Sequence, residues 1–234
     1  MKKISGLSLM ILLSIFTSFQ NNDIKEITGD FDLPSSNPFS KASTLPLQAP
    51  PFDKIKDADF KPALEAGMKE QLEEIQKITD NPDAPTFENT LVEMEKSGQL
   101  YIRVNNVFNL LTGANTNPEL EKVAEEEAPK QAATQDAIYL NSKLFKRIET
   151  IYNNRSQLHL DAESMRLLEY NYRAFLLAGA KLSDANKTSM KKLNGEEATL
   201  TAKFTNQLLA AAKAGALVIT NESELAGLSQ ADKD

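Results

Sequence analysis

From residue 57 to residue 215, apolar side chains return every three or four positions, and so sustained a period commits the chain to an all-α, antiparallel multi-helix fold. The first helix carries Phe60, Leu64, Met68, Leu72, Ile75 and Ile78 on one face, with Asp59 as N-cap and Pro62 tolerated in the opening turn. A second is expected to start at a Thr86 cap after Pro85. It runs through Leu91, Met94, Tyr101, Phe108 and Leu111 to Gly113, with a bend at Gly98. Asn117-Pro118 pairs a cap with proline at the first helical position and opens a third, which Pro129 is expected to kink or divide. Ser142 is read as the cap of a fourth helix and Asp161 as that of a fifth, which Gly179 ends, and Leu160 is placed to pack on Met165 as a staple. Ser183 opens the last long helix, with Met190, Leu193, Leu200, Phe204, Leu208 and Ala211 on one side and Gly215 as its stop. No fixed-period repeat marks a solenoid.

The helical region is flanked by segments of different character. Residues 1–22 join Lys2 and Lys3 to the apolar run Leu7, Leu9 to Leu13, Ile15 and Phe16, a signal-peptide pattern too short for a stable membrane span. Without a clean small-x-small site, cleavage and retention as an uncleaved N-terminal anchor both stay open. Either way the chain is expected to be exported, to a periplasm or the extracellular medium. Residues 23–56 form a proline-rich extended arm holding Pro34, Pro38, Pro46, Pro50 and Pro51. Its Phe31, Leu33, Phe39, Leu45, Leu47 and Phe52 are more apolar surface than a solvated linker carries, so the arm is expected to dock. Residues 216–234 read as one short strand, Ala216 to Thr220, followed by the start of another helix. A lone strand needs a partner, and the sequence therefore reads as cut short.

Composition removes whole classes of chemistry. There is no cysteine and a single histidine, His159, so disulfides, thiol nucleophiles and zinc sites built from several Cys or His ligands are excluded. A formal net charge of -7 opposes nucleic acid and anionic membrane surfaces as partners. His159 and Glu163 are four apart and could share a helix face, far short of a zinc site, which needs three protein ligands, and His159 is read as a helix-entry residue before the Asp161 cap. Ser189 and Lys192 match a Ser-x-x-Lys spacing but sit in a charged helical stretch with no companion motif, so the match is read as chance. The acidic run Glu125, Glu126 and Glu127 is read as a solvated helix face. No nucleophile elbow, Walker loop or dinucleotide fingerprint is present. The sequence therefore names no catalytic residue, no metal ligand and no substrate-contacting residue.

An ordered string of local motifs points further. Asn37-Pro38-Phe39, Leu45-Pro46, Pro50-Pro51-Phe52-Asp53 and Ile55-Lys56-Asp57 leading to Asp59-Phe60 resemble the start of the M3 family of zinc oligopeptidases, in its peptidyl-dipeptidase branch. Pro85-Thr86-Phe87-Glu88-Asn89-Thr90, Ser97-Gly98, Phe108, Asn141 to Arg147, Arg155, Leu158 to Leu160 and Glu163 to Leu168 follow in the family's order, and Phe175, Gly179-Ala180, Leu182, Phe204 and Glu224 to Leu228 extend the likeness to the end.

The resemblance implies a single-zinc peptidase, monomeric when complete, that acts on oligopeptides in a deep channel between two mostly helical halves and releases C-terminal dipeptides. Its zinc would be held by a His-Glu-x-x-His helix and a later glutamate, and no position here matches that motif. On this reading the chain is the N-terminal channel-wall portion of the enzyme, truncated before the zinc helix, binding no zinc and inactive alone. The alternative is a complete, non-catalytic helical module that holds a peptide or a partner helix in the same kind of groove.

Overall fold

The computed structural model describes residues 33–233. The signal-peptide reading of residues 1–22, the first part of the arm with Phe31, and Asp234 lie outside them. Six long helices dominate: α1 (Phe60–Asp80), α2 (Gln99–Ala114), α3 (Pro118–Tyr139), α4 (Ser142–Asn153), α5 (Ala162–Ala178) and α6 (Asp184–Ala214). Most of the expected caps hold. Asn117 Oδ1 accepts from the amides of Glu119 and Leu120, Asp161 from that of Ser164, and Ser183 from that of Asn186. The cap of α4 is Asn141 rather than Ser142, because the amide oxygen of Asn141 reaches the N–H groups of both Lys143 and Leu144. Pro129 does not divide α3, which runs unbroken through it.

α1 lies in two cores at once. Its first half, with Phe60, Ala63 and Leu64, packs with Leu100, Val104 and Phe108 of α2 and with Leu120 and Val123 of α3. Its second half, with Leu72, Ile75 and Ile78, joins Leu144, Ile148 and Ile151 of α4 and Leu168 and Phe175 of α5. α1 and α2 run antiparallel, and Gly67 makes their close crossing possible. A Cβ at that position would stand 2.7 Å from both the Cα and the amide nitrogen of Tyr101.

The expected second helix is broken rather than bent. Thr86 caps a π-type turn at Phe87–Val92 that passes into one α turn at Glu93–Lys96, and Gly98, at φ 72°, reverses the backbone before α2 begins. The Gly98 amide donates to Glu74 Oε2 at 2.7 Å, which ties the break to α1. Around the preceding loop, Arg147 of α4 is buried with every guanidinium nitrogen donating at least one hydrogen bond. Nε bonds Thr90 Oγ1 at 3.2 Å, Nη1 bonds the carbonyls of Asn81 (3.1 Å) and Asp83 (3.2 Å), and Nη2 bonds Asn89 Oδ1 at 2.9 Å. Two separate stretches of the sequence thus form one hydrogen-bonded unit.

The arm docks by one part and not by another. Phe39 is buried with its ring centroid 5.3 Å from that of Phe60, its carbonyl accepts from Arg103 Nη2, and Asn37 Nδ2 donates to the carbonyl of Asp59. Leu45, Leu47 and Phe52 are exposed, so the docking expected of them does not occur.

The acidic run of α3 is not a solvated face. Glu127 is fully buried, because this side of α3 lies against α1 and the charges interlock: Lys61 bonds Glu126 at 2.5 Å, and Lys130 bonds Glu127 at 2.9 Å and also Glu65. Burial pushes the Glu127 carboxyl up, against the opposing pull of Lys130. A carboxyl raised in the folded state adds stability below its unfolded pKa and loses that contribution as pH rises through the folded value. Between pH 7 and pH 5, the urea midpoint of the wild type is therefore expected to gain on that of Glu127→Gln; a parallel pH response of the two would contradict this.

Residues 216–220 take up no regular secondary structure, and no strand forms among the described residues. The expected strand is corrected accordingly: with no neighbouring edge there is no ladder to join, and Leu217 and Val218 stand exposed.

Candidate functional site

α3 and α6 run antiparallel, joined near one end by Asn194 Nδ2 donating to Asp136 Oδ1 (2.6 Å) and near the other by Asn206 Nδ2 donating to Glu125 Oε1 (2.8 Å) and the Glu121 carbonyl (3.2 Å). α6 is fixed at its start by Lys187, its one buried residue, whose Nζ donates to the Leu140 carbonyl (3.0 Å) and Ser142 Oγ (2.6 Å). Burial pulls that ammonium below the ordinary lysine range.

Between α2 and α6, over α3, lies a groove of about 890 Å³. Its floor is small, with Ala124, Ala128 and Ala132 at four-residue steps on one face of α3. Its walls carry amides and hydroxyls, among them Asn105, Asn109 and Thr112 from α2 and Thr201 and Thr205 from α6, and three carboxylates, Glu121, Asp136 and Glu197. No lysine, arginine or histidine lines it. Burial raises the Asp136 carboxyl, partly offset by the Asn194 hydrogen bond and by the charge of Lys191. Beside the groove, the outer face of α6 is apolar and uncovered, with Leu200 and Phe204 at 66% and 65% exposure and Leu193 and Leu208 likewise exposed.

The residues that sequence reasoning weighed and set aside are not brought together into chemistry. His159 is exposed, has φ 49°, and precedes α5, so it shares no helix face with Glu163. Ser189 Oγ donates to the Ala185 carbonyl, and Lys192 lies 3.9 Å from Glu196, so the two form no dyad. Among the described residues no three His, Cys, Asp or Glu side chains are placed to hold a metal ion, and no helix is long and apolar enough to cross a membrane. The groove residues were missed because amides and alanines carry no motif. The one available signal was Asp136 at the end of the four-residue alanine ladder.

No protein-family model matches the chain. It is 45% identical to the dipeptidyl carboxypeptidase of Escherichia coli K12 over 194 residues, covering 83% of this chain and 28% of that protein. The dipeptidyl carboxypeptidase of Salmonella typhimurium is also 45% identical, over 83% of this chain and 29% of its own length. The organellar oligopeptidase A of Arabidopsis thaliana is 24% identical over 88% of this chain and 25% of its own. The chain thus spans under a third of the length of these relatives.

Proposed function

The chain is related to the M3 peptidases of the dipeptidyl carboxypeptidase and oligopeptidase A kind, and from that premise we propose that it forms a helical wall of the substrate channel in an exported, monomeric zinc peptidase. The parent reaction is hydrolysis of oligopeptides with release of C-terminal dipeptides. Export rests on Lys2, Lys3 and the apolar run to Phe16.

The described residues do not fit zinc, since no three potential ligands converge. Zinc would be held outside them, and this chain's contribution is steric and electrostatic. Its helices narrow access to the metal, so that extended peptides enter and folded proteins do not. The observation that carries this reading is 45% identity over 83% of the chain, set against coverage of 28% of the relative. The uncovered apolar face of α6 supports it, because a stripe of this kind fits burial against the rest of a larger protein.

A chimera tests the proposal. The E. coli dipeptidyl carboxypeptidase, with its matching 194 residues replaced by those of this chain, is expected to keep releasing dipeptides. A chimera that folds, binds zinc and hydrolyses nothing would overturn the proposal.

A further inference from the structure

We propose that the groove over α3 seats an extended, basic oligopeptide, with a guanidinium or ammonium group of the peptide paired to Asp136. The inference rests on the peptidase reading and deepens it by naming a substrate class.

Three buried oxygens along the groove have no hydrogen-bond partner: Asp136 Oδ2, Asn105 Oδ1 and Thr116 Oγ1. Such atoms are costly to leave unpaired, by about 1–3 kcal/mol each. A carboxylate and an amide oxygen accept only, so their missing partner is a donor. Asp136 is 7% exposed, with one oxygen held by Asn194 and the other buried without a partner, so a groove ligand pairs with it once the side chain turns toward the groove. Its nearest cationic influence, Lys191, is outside the lining and makes no hydrogen bond to it.

Charge sets the class of donor. Three carboxylates with no cation in the lining favour lysine or arginine side chains and repel acidic ones. Shape sets the conformation. From Glu121 to Tyr139 the α3 floor runs about 27 Å at 1.5 Å per residue, room for about eight residues of extended peptide. A helix satisfies its own backbone donors and would leave the wall amides and hydroxyls unpaired, whereas an extended chain offers amide N–H groups to Asn and Thr on both sides.

The test uses the full 234-residue chain and two labelled octapeptides, one alternating Ala and Arg, the other Ala and Glu, followed by fluorescence anisotropy at pH 7.5. The Arg peptide is expected to bind at least tenfold more tightly than the Glu peptide. Asp136→Asn, nearly isosteric, should weaken the Arg peptide about tenfold, while Glu119→Gln, an exposed change outside the groove, leaves it unaltered. Circular dichroism and the urea midpoint establish that both variants fold. Should Asp136→Asn lose its fold, Asn105→Ala takes its place with the same expected direction. Equal affinity for the two peptides, or equal weakening by Asp136→Asn and Glu119→Gln, overturns the inference. An active chimera combined with such a result leaves the peptidase reading standing and removes this inference alone.

Discussion

Arg147→Ala is expected to lower the unfolding free energy by about 3 kcal/mol, because it strips buried neutral acceptors of their donor at about 1 kcal/mol or more each. Arg147 is 8% exposed, and its guanidinium reaches Thr90, Asn89 and the carbonyls of Asn81 and Asp83 together. Truncation leaves the Asn81 and Asp83 carbonyls and Thr90 Oγ1 without their donor, each a loss of about 1 kcal/mol or more, while Asn89 Oδ1 keeps the Thr86 amide and the Thr90 hydroxyl. Arg147→Lys keeps the charge but not the fork and should fall between alanine and wild type. Urea unfolding followed by circular dichroism measures all three. A loss under 1 kcal/mol for Arg147→Ala would show that the loop at 81–90 is held by something else.

Gly67→Val is expected to cost about 3 kcal/mol, and the reason is backbone rather than side chain. The new Cβ meets Tyr101 Cα and N at 2.7 Å, and main-chain atoms cannot rotate away, so α1 and α2 must separate across the core that holds Phe60, Leu64 and Val104. Gly195→Ala supplies the contrast, since its Cβ meets nothing within 4 Å on a helical position of α6. There only helix propensity changes, and stability should rise by up to about 1 kcal/mol. Opposite signs from two glycine substitutions within helices separate the packing effect from the propensity effect. A stabilised Gly67→Val would mean the two helices are not in close contact.

The helices were readable because their boundaries rest on local chemistry. Asn117, Asp161 and Ser183 each bond an amide two or three residues on, and such a contact needs no knowledge of the rest of the fold. What failed depends on partners distant in sequence. Periodicity placed Leu200 and Phe204 on one face of α6 but could not say that nothing among residues 33–233 covers it. Three successive glutamates look like surface until Lys61, Glu65 and Lys130 are found opposite them. Gly98 is expected to bend its helix, and the break comes from its left-handed φ of 72° together with the bond from its amide to Glu74 on α1, a partner distant in sequence.

The same division explains the site. The motif string around Pro85–Thr90 and Asn141–Arg147 points to the family, and in the fold those stretches are two sides of the Arg147 cage, which is not among the residues that line the groove. The groove is assembled from α2, α3 and α6 out of residue types that are common on any helix. Only Asp136, a buried carboxylate with one oxygen unpaired, stands apart, and its burial comes from packing that the sequence does not spell out.

On the proposed function, residues of this chain shape a peptidase channel and do not themselves hydrolyse peptides. The purified 234-residue chain, incubated with zinc and an unstructured oligopeptide, is predicted to release no dipeptide by mass spectrometry, with or without chelator. Release of dipeptides that stops when the metal is chelated would contradict the account.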